Sequence, residues 1–181
     1  MIINVKNLLV LPFLLIGFFG FAQEEPENSD EFHHHSIAVI INHTTIFQGL
    51  IDGEKKAVFV PSWALDYSYS FNEKWALGLH NDIIIENFLI KKYSDGETLE
   101  RNTPIASVIV GSYKLTKQFG IELGAGMEFD EDENFALARI GAEYAIEIPK
   151  HNLEMLFAID YDLIFDAYSS INIGFGIAKL F

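Results

Sequence analysis

The 181-residue chain contains no cysteine. Neither a disulfide framework nor a lipid-modified cysteine at its N-terminal end is open to it. Basic residues are scarce: 12 Lys and Arg stand against 26 Asp and Glu, for a net charge of −14. A nucleic-acid partner is excluded on that count, because phosphate binding needs a basic face. Beyond residue 22 no apolar run is long enough for a membrane helix. The chain also lacks a nucleophile elbow, a zinc-binding helix motif, a phosphate loop and a paired-cysteine motif. No catalysis and no cofactor are expected.

What is present begins with an export signal. Met1–Asn7 carries a single cation, Lys6, Leu8–Phe19 is almost wholly apolar, and Gly20-Phe21-Ala22 places small residues where a signal peptidase cuts. Residues 1–22 are therefore expected to be a signal peptide, leaving 159 residues with 11 Lys and Arg against 26 acids. Residues 23–33 are acidic, contain Pro26 and show no periodicity, as in a flexible leader. Residues 34–181 are expected to form one domain.

That domain divides into eight strand-like segments at 34–46, 57–71, 74–87, 104–115, 119–129, 135–148, 152–164 and 167–181. Period-two alternation is clear in six of them. Phe59, Pro61, Trp63, Leu65, Tyr67, Tyr69 and Phe71 share a face against Ser62, Ala64, Asp66, Ser68 and Ser70. Leu153, Met155, Phe157, Ile159, Tyr161 and Leu163 oppose Glu154, Ala158, Asp160 and Asp162. The first and fourth segments are apolar on both faces, so their facing stays open. Pro61 cannot donate to a ladder and calls for a bulge or a frayed end. Short turns, Asn72-Glu73-Lys74, Thr116-Lys117-Gln118 and Pro149-Lys150-His151, alternate with longer or more charged links at 47–56, 88–103 and 130–133.

The large aromatics lie on one face while glycines gather on the other. Gly120, Gly124, Gly126, Gly141, Gly174 and Gly176 suit the narrow interior of an eight-stranded barrel. Tyr69, Phe71, Trp75, Tyr113, Phe119, Tyr144 and Phe181 mark one rim, and Phe59, Phe129, Phe135 and Phe165 the other, as two aromatic girdles. The signal peptide, the strands Ser62-Trp63-Ala64-Leu65-Asp66-Tyr67 and Trp75-Ala76-Leu77-Gly78-Leu79-His80, and the last strand ending in Phe181 resemble the small outer-membrane β-barrel proteins of the OmpA/OmpX-like kind, including those common in Bacteroidetes-type genomes. In that last strand Lys179 departs from the apolar alternation. The resemblance covers the chain after residue 22. It implies an all-β, eight-stranded antiparallel up-and-down transmembrane barrel in Gram-negative outer-membrane lipid. It also implies recognition by the barrel-assembly machinery through Phe181. It is specific for architecture and weak for activity. A secreted, soluble lipocalin-like binding barrel shows the same alternation with the apolar face inward, and stays an alternative.

On the barrel reading the inward face holds Asp66, His80, Asp82, Glu86, Glu122, Glu128, Glu143, Glu147, Glu154, Asp160 and Asp162, with Arg139 as the assigned cation and Lys114 as a candidate second. Pairing Phe71 with Trp75 sets Asp66 opposite His80. Pairing Ile148 with Leu153 sets Arg139 opposite Asp162, with Asp160 one diagonal away. Arg139 then falls opposite Gly124 or Gly126. Asp66, His80, Asp82, Glu122, Arg139, Glu143, Asp160 and Asp162 form the candidate lumenal network. It is expected to be a structural plug, since buried charges must be paired or hydrated. The alternative is a narrow ion or proton channel, or a small-solute porin, in which the acids form a proton-linked or cation-binding cluster. The loop at 88–103, with Lys91, Lys92, Tyr93 and Arg101, is the candidate contact for an outer protein partner. The His33–His35 triplet, the Asp130–Glu133 run and the Asn42-His43-Thr44 sequon are expected to be an exposed strand entry, solvated charge and part of a strand, respectively. No metal is expected at any of them.

Overall fold

A computed structural model describes residues 32–181. The expected signal peptide and all but the last two residues of the expected leader lie outside the described residues. The strands are β1 (His35–Ile46), β2 (Leu50–Ile51), β3 (Glu54–Lys55), β4 (Val58–Ser70), β5 (Trp75–Ile84), β6 (Phe88–Lys91), β7 (Thr98–Arg101), β8 (Ile105–Lys114), β9 (Phe119–Phe129), β10 (Phe135–Ile148), β11 (Leu153–Ile164) and β12 (Tyr168–Leu180). Eight of them close an antiparallel barrel in the order β1-β12-β11-β10-β9-β8-β5-β4, with β4 pairing back to β1. The other four form two small hairpins, β2–β3 and β6–β7.

Short turns close one end of the barrel, and local chemistry explains each. Asn72 Oδ1 accepts from the amides of Lys74 and Trp75 at 2.9 and 3.0 Å, folding the β4–β5 turn on its own side chain. Thr116 Oγ1 does the same for Phe119 at 2.9 Å in the β8–β9 turn. The β10–β11 turn is a 3₁₀ turn at Pro149–His151, ended by Asn152 in the left-handed region. Asn tolerates that conformation better than most residues. Such tight turns pin the register: Asp66 stands opposite His80, and Arg139 opposite Asp162 and Gly124. Both termini of the described chain lie at this turn end, where the amide of Phe181 donates to the carbonyl of His35 at 2.8 Å.

The outward face is apolar. Ile41, Leu65, Trp75, Leu123, Ile140, Ile173 and many like them are exposed. Asn81 and Ser107 also stand on this face and satisfy each other through a 2.8 Å hydrogen bond. The two strands whose facing the sequence left open resolve here. In β1, Ala38, Ile40, Asn42, Thr44 and Ile46 point inward. In β8, Val108 and Val110 do. Both strands read as apolar on both faces because the interior itself has apolar zones. One zone gathers Ile46, Val60, Ile84, Val108, Val110, Leu137 and Ile164 toward the loop end. A smaller one, Ala38, Ile40, Ala64, Ala145, Leu156 and Ala178, lies toward the turn end.

Several sequence expectations change in detail. Pro61 sits within β4 without a bulge. Its carbonyl accepts from Ile85 at 3.3 Å, and the β4–β5 register begins at the next residue, Ser62. Its missing N–H therefore falls at the frayed end of that ladder. Glu86 lies beyond the end of β5 and is exposed, because the ladder stops at Ile84. Glu147 keeps its inward register opposite Glu154 but is exposed at the turn-end mouth. Phe135 is buried inside the barrel and is not part of a girdle.

Candidate functional site

The lumen is the candidate site, and its centre is one guanidinium. Arg139 on β10 donates from Nε and Nη2 to the two carboxylate oxygens of Asp162 on β11, each at 2.7 Å. Nη2 also lies 2.8 Å from Asp82 Oδ2 on β5. This two-armed pairing suits the planar fork of arginine. Gly124, directly opposite Arg139 on β9, leaves space for the long side chain. Arg139, Asp82 and Asp162 are all buried.

Neutral polar groups extend the contact round the wall. Asn172 donates to Asp162 Oδ2 at 2.9 Å, Thr44 donates to Asn172 Oδ1 at 2.7 Å, and Thr44 lies 2.6 Å from Ser62 Oγ. Thr44 has a single hydroxyl proton, so Ser62 is the donor in the last pair. Asn42 donates to Asp82 Oδ1 at 3.3 Å. The network thus touches β10, β11, β12, β1, β4 and β5, six of the eight barrel strands.

The candidate residues on the turn-end side of Arg139 are less tightly joined. His80 Nδ1 stands 3.8 Å from both Asp66 Oδ2 and Glu122 Oε2. Asp66 Oδ1 accepts from the amide of Asn81 at 3.2 Å, and Glu122 Oε1 accepts from Ser112 Oγ at 2.9 Å. Asp160 faces Gly141 across the ladder, and Glu143 faces Gly120 and Ala158, so small residues oppose both acids. Nearest the mouth, Lys114 Nζ lies 3.8 Å from Glu154. Among the described residues no group of His, Asp and Glu has the arrangement to hold a metal ion.

The loop end carries a feature the sequence reading missed. The β6–β7 hairpin springs from between β5 and β8, yet its tip is fixed to the β11–β12 connection. That connection lies across the barrel, separated from β5 and β8 by two strands on either side. Tyr93 donates from its hydroxyl to the Ile164 carbonyl at 2.8 Å and from its amide to the Ala167 carbonyl at 3.1 Å. Ser94 Oγ donates to the Asp166 carbonyl at 2.6 Å. A bridge between Gly49 and Ile90 ties the hairpin to the first loop. The hairpin is a lid over the mouth. Phe88 and Ile90 are buried under it, while Leu89 and Lys91 face out.

Arg101 anchors the lid. It is fully buried, Nη2 donates to Glu128 Oε1 at 2.6 Å, and Nη1 donates to the Glu133 carbonyl at 2.7 Å. Its guanidinium lies 5.1 Å from the centre of the Phe135 ring and its Nε 3.5 Å from Asp130 Oδ2. Tyr168 donates its hydroxyl to the other oxygen of Glu128. Arg101, expected as part of an outer contact, therefore points inward, and Asp130 is engaged beneath the lid rather than solvated. At the lid tip Lys92 Nζ lies 3.3 Å from Asp95 and 3.4 Å from Glu133. The amide of Glu97, with Lys92, holds the Asp95 carboxyl below its ordinary value.

Between the lid anchor and the Arg139 network lies a cavity of about 20 Å³, lined by Thr44, Asp82, Glu128, Asp162 and Tyr168 among others, space for about one water. Arg101→Ala would leave Glu128 buried without its cation. Hydrogen exchange at the β6–β7 amides is expected to speed up by about 100-fold or more, given the cost of an unpaired buried charge. Unchanged exchange would show that the apolar underside alone holds the lid.

No protein-family model matches the chain, and no curated relative matches it. Solved structures do. Ail, the attachment invasion locus protein of Yersinia pestis, solved in complex with the heparin analogue sucrose octasulfate, is 16% identical. The match covers 83% of this chain and 100% of that chain, with a TM-score of 0.53. Neisserial surface protein A is 12% identical over 81% of this chain and 97% of its own, TM-score 0.52. The outer membrane protein OprG of Pseudomonas aeruginosa is 15% identical over 81% and 96%, TM-score 0.51. The fold is that of a small outer-membrane β-barrel. In such a barrel the exposed apolar residues face lipid, and the network around Arg139 lies inside the wall.

Proposed function

We propose that this chain is an exported outer-membrane barrel whose lumen is plugged by its own side chains, with a structural or complex-docking role and no catalysis. The observation that carries this is the double closure. A lid is fixed to opposite walls of the mouth, and beneath it Arg139 joins acids from facing strands. In barrels of this kind the short turns face the periplasm and the longer loops face out. On that orientation the lid is external and the termini are periplasmic. The face left for an outer partner is the upper side of the lid, with Leu89, Lys91, Thr98 and Glu100, rather than the whole loop at 88–103.

Conductance across a planar bilayer tests the plug. The folded barrel is expected to give no stable current steps. A variant with the lid replaced by a short turn is expected to stay silent too, because the Arg139 network remains. Reproducible steps from the wild-type protein would replace the plug with the narrow-channel reading, for which the water-sized cavity beside Asp82 and Asp162 would be the natural starting point.

A further inference from the structure

Two arginines hold the buried charge between the lid and the plug, and each serves two carboxylates. Arg101 meets Glu128 and Asp130, and Arg139 meets Asp82 and Asp162. None of these six side chains is more than 11% exposed. Four buried acids therefore share two cations. Lys92 is engaged at the lid tip by Asp95 and Glu133, and Lys114 lies at the turn-end mouth beside Glu154. Neither makes up the difference.

The cavity of about 20 Å³ lies between the two arginine groups, and the protons around it are already committed. Thr44 donates to Asn172, so Ser62 donates to Thr44 and has only lone pairs left to offer. Tyr168 gives its single hydroxyl proton to Glu128, which leaves its oxygen as an acceptor. Asp82 Oδ2 is 2.8 Å from Arg139 Nη2, but no N–H is directed at it and it accepts no hydrogen bond. Ser62, Asp82 and Tyr168 all line the cavity. Ser62 and Tyr168 are 1% exposed and Asp82 9%, so bulk solvent does not supply the missing donors. A single water has two protons and satisfies only two of these three acceptors. A cation in the same space meets all three and offsets the local excess of negative charge.

We infer that this cavity binds one dehydrated sodium ion, held by the oxygens of Ser62, Asp82 and Tyr168. Two hydroxyls and one carboxylate oxygen are hard donors, which select against transition metals. Among the described residues no group of His, Asp and Glu is arranged to hold such a metal. Calcium takes about six to eight oxygens, usually with several carboxylates among them. Here Asp162 and Glu128 are turned to the arginines, and the space is that of about one water. A small monovalent ion is what remains. Its binding ties the lid anchor to the plug, because Tyr168 belongs to the first and Asp82 to the second. The site stands whichever way the barrel faces and whether or not the lumen conducts.

The test uses the full barrel folded in phosphatidylcholine vesicles at neutral pH. Sodium chloride replaces choline chloride at constant ionic strength, since choline is too large for the cavity. Denaturant unfolding reads the ratio of folded to unfolded protein. That ratio is expected to rise with sodium, by about tenfold at ten times the dissociation constant. Asp82→Asn is expected to abolish the rise. Ser62→Ala and Tyr168→Phe are each expected to move it to sodium concentrations about tenfold higher or more. Asp66→Asn removes an equally buried lumenal acid that does not line the cavity, and should leave the rise unchanged. A flat response in the wild-type protein overturns the inference and leaves water in the cavity. A rise that survives both Asp82→Asn and Ser62→Ala places the ion elsewhere and overturns it too, and equal loss in Asp66→Asn would mean diffuse attraction. Should Asp82→Asn fail to fold, Ser62→Ala and Tyr168→Phe decide the matter by themselves. Bilayer conductance is a separate readout: a barrel that conducts yet keeps its sodium-dependent stability would sink the plug and leave the site standing.

Discussion

Arg139→Met is expected to cost about 3–5 kcal/mol of folding stability, measured as denaturant unfolding of the barrel in lipid vesicles at neutral pH. The side chain is 2% exposed, and its two partners are nearly as deeply covered, so solvent screens little of the loss. Methionine matches much of the arginine stem but leaves Asp82 and Asp162 facing each other's charge without the guanidinium. Asn172 and Asn42 would each still donate one hydrogen bond. They supply no compensating charge. The pairing account makes a second, sharper demand. Adding Asp82→Asn and Asp162→Asn to Arg139→Met removes both orphaned charges, and most of the lost stability should return. A methionine variant with an unchanged unfolding midpoint would show that Arg139 does not pair these acids in lipid. A triple variant no better than the single one would place the cost in packing.

The pairings at the heart of this network were legible in the sequence because turns fix register. Once Phe71 is set against Trp75 and Ile148 against Leu153, every pair on those hairpins follows. A one-residue slip would turn each hairpin's apolar face inside out. The structure has these registers, so Asp66–His80 and Arg139–Asp162 stand directly opposed. Thr44, Ser62 and Asn172 were not legible as part of the site. They are uncharged, and Thr44 and Ser62 share their inward faces with Ile40, Ile46 and Val60, so nothing in their residue type marks them as part of a charged network. Asn42 drew notice as a sequon, while its contact is with Asp82.

The lid was missed for a different reason. Its four-residue strands are too short for periodicity to separate from chance, although Phe88-Leu89-Ile90-Lys91 does alternate. The other small hairpin, β2–β3, had a plainer sign in Asp52-Gly53. Both residues have positive φ, 54° and 78°, and they join β2 to β3 as a two-residue hairpin turn. Arg101 read as surface charge because the decision to bury it is tertiary. It is buried because Glu128, the Glu133 carbonyl and the Phe135 face together offer a site that solvent would otherwise fill. The same limit explains Glu86 and Glu147. Alternation tells which way a residue points but not how far along the barrel wall the ladder or the cover extends.

Gly176→Val is expected to prevent barrel closure outright, with no gel-mobility difference between boiled and unboiled protein and overpacking of about 3 kcal/mol or more. Gly176 lies on β12 opposite Ile40 of β1, at the seam where the chain's first and last barrel strands meet. A Cβ there would stand 2.5 Å from the Val39 carbonyl oxygen and 2.9 Å from the Ile40 Cα. These are backbone atoms, so relief requires the two strands to part. Parted strands in lipid leave N–H and C=O groups with no water to bond, at several kcal/mol for each group. Two other glycines serve as controls, Gly174 on the same strand and Gly111 on β8. Gly174 also has no room for a Cβ, but there the obstacles are the side chains of Asn42 and Ile40, which can turn aside. Gly174→Ala should therefore fold with a loss of about 1–3 kcal/mol, partly through the displaced Asn42–Asp82 bond. Gly111 has its nearest obstacle, the Leu123 carbonyl oxygen, at 3.9 Å. Gly111→Ala should be neutral or slightly stabilising. If Gly176→Val closes as readily as Gly111→Ala, β1 and β12 are not held as tightly at the seam as their paired register implies. Closure would then rest on the Thr44–Asn172 and Arg139 contacts inside the lumen instead of on the fit of the two backbones.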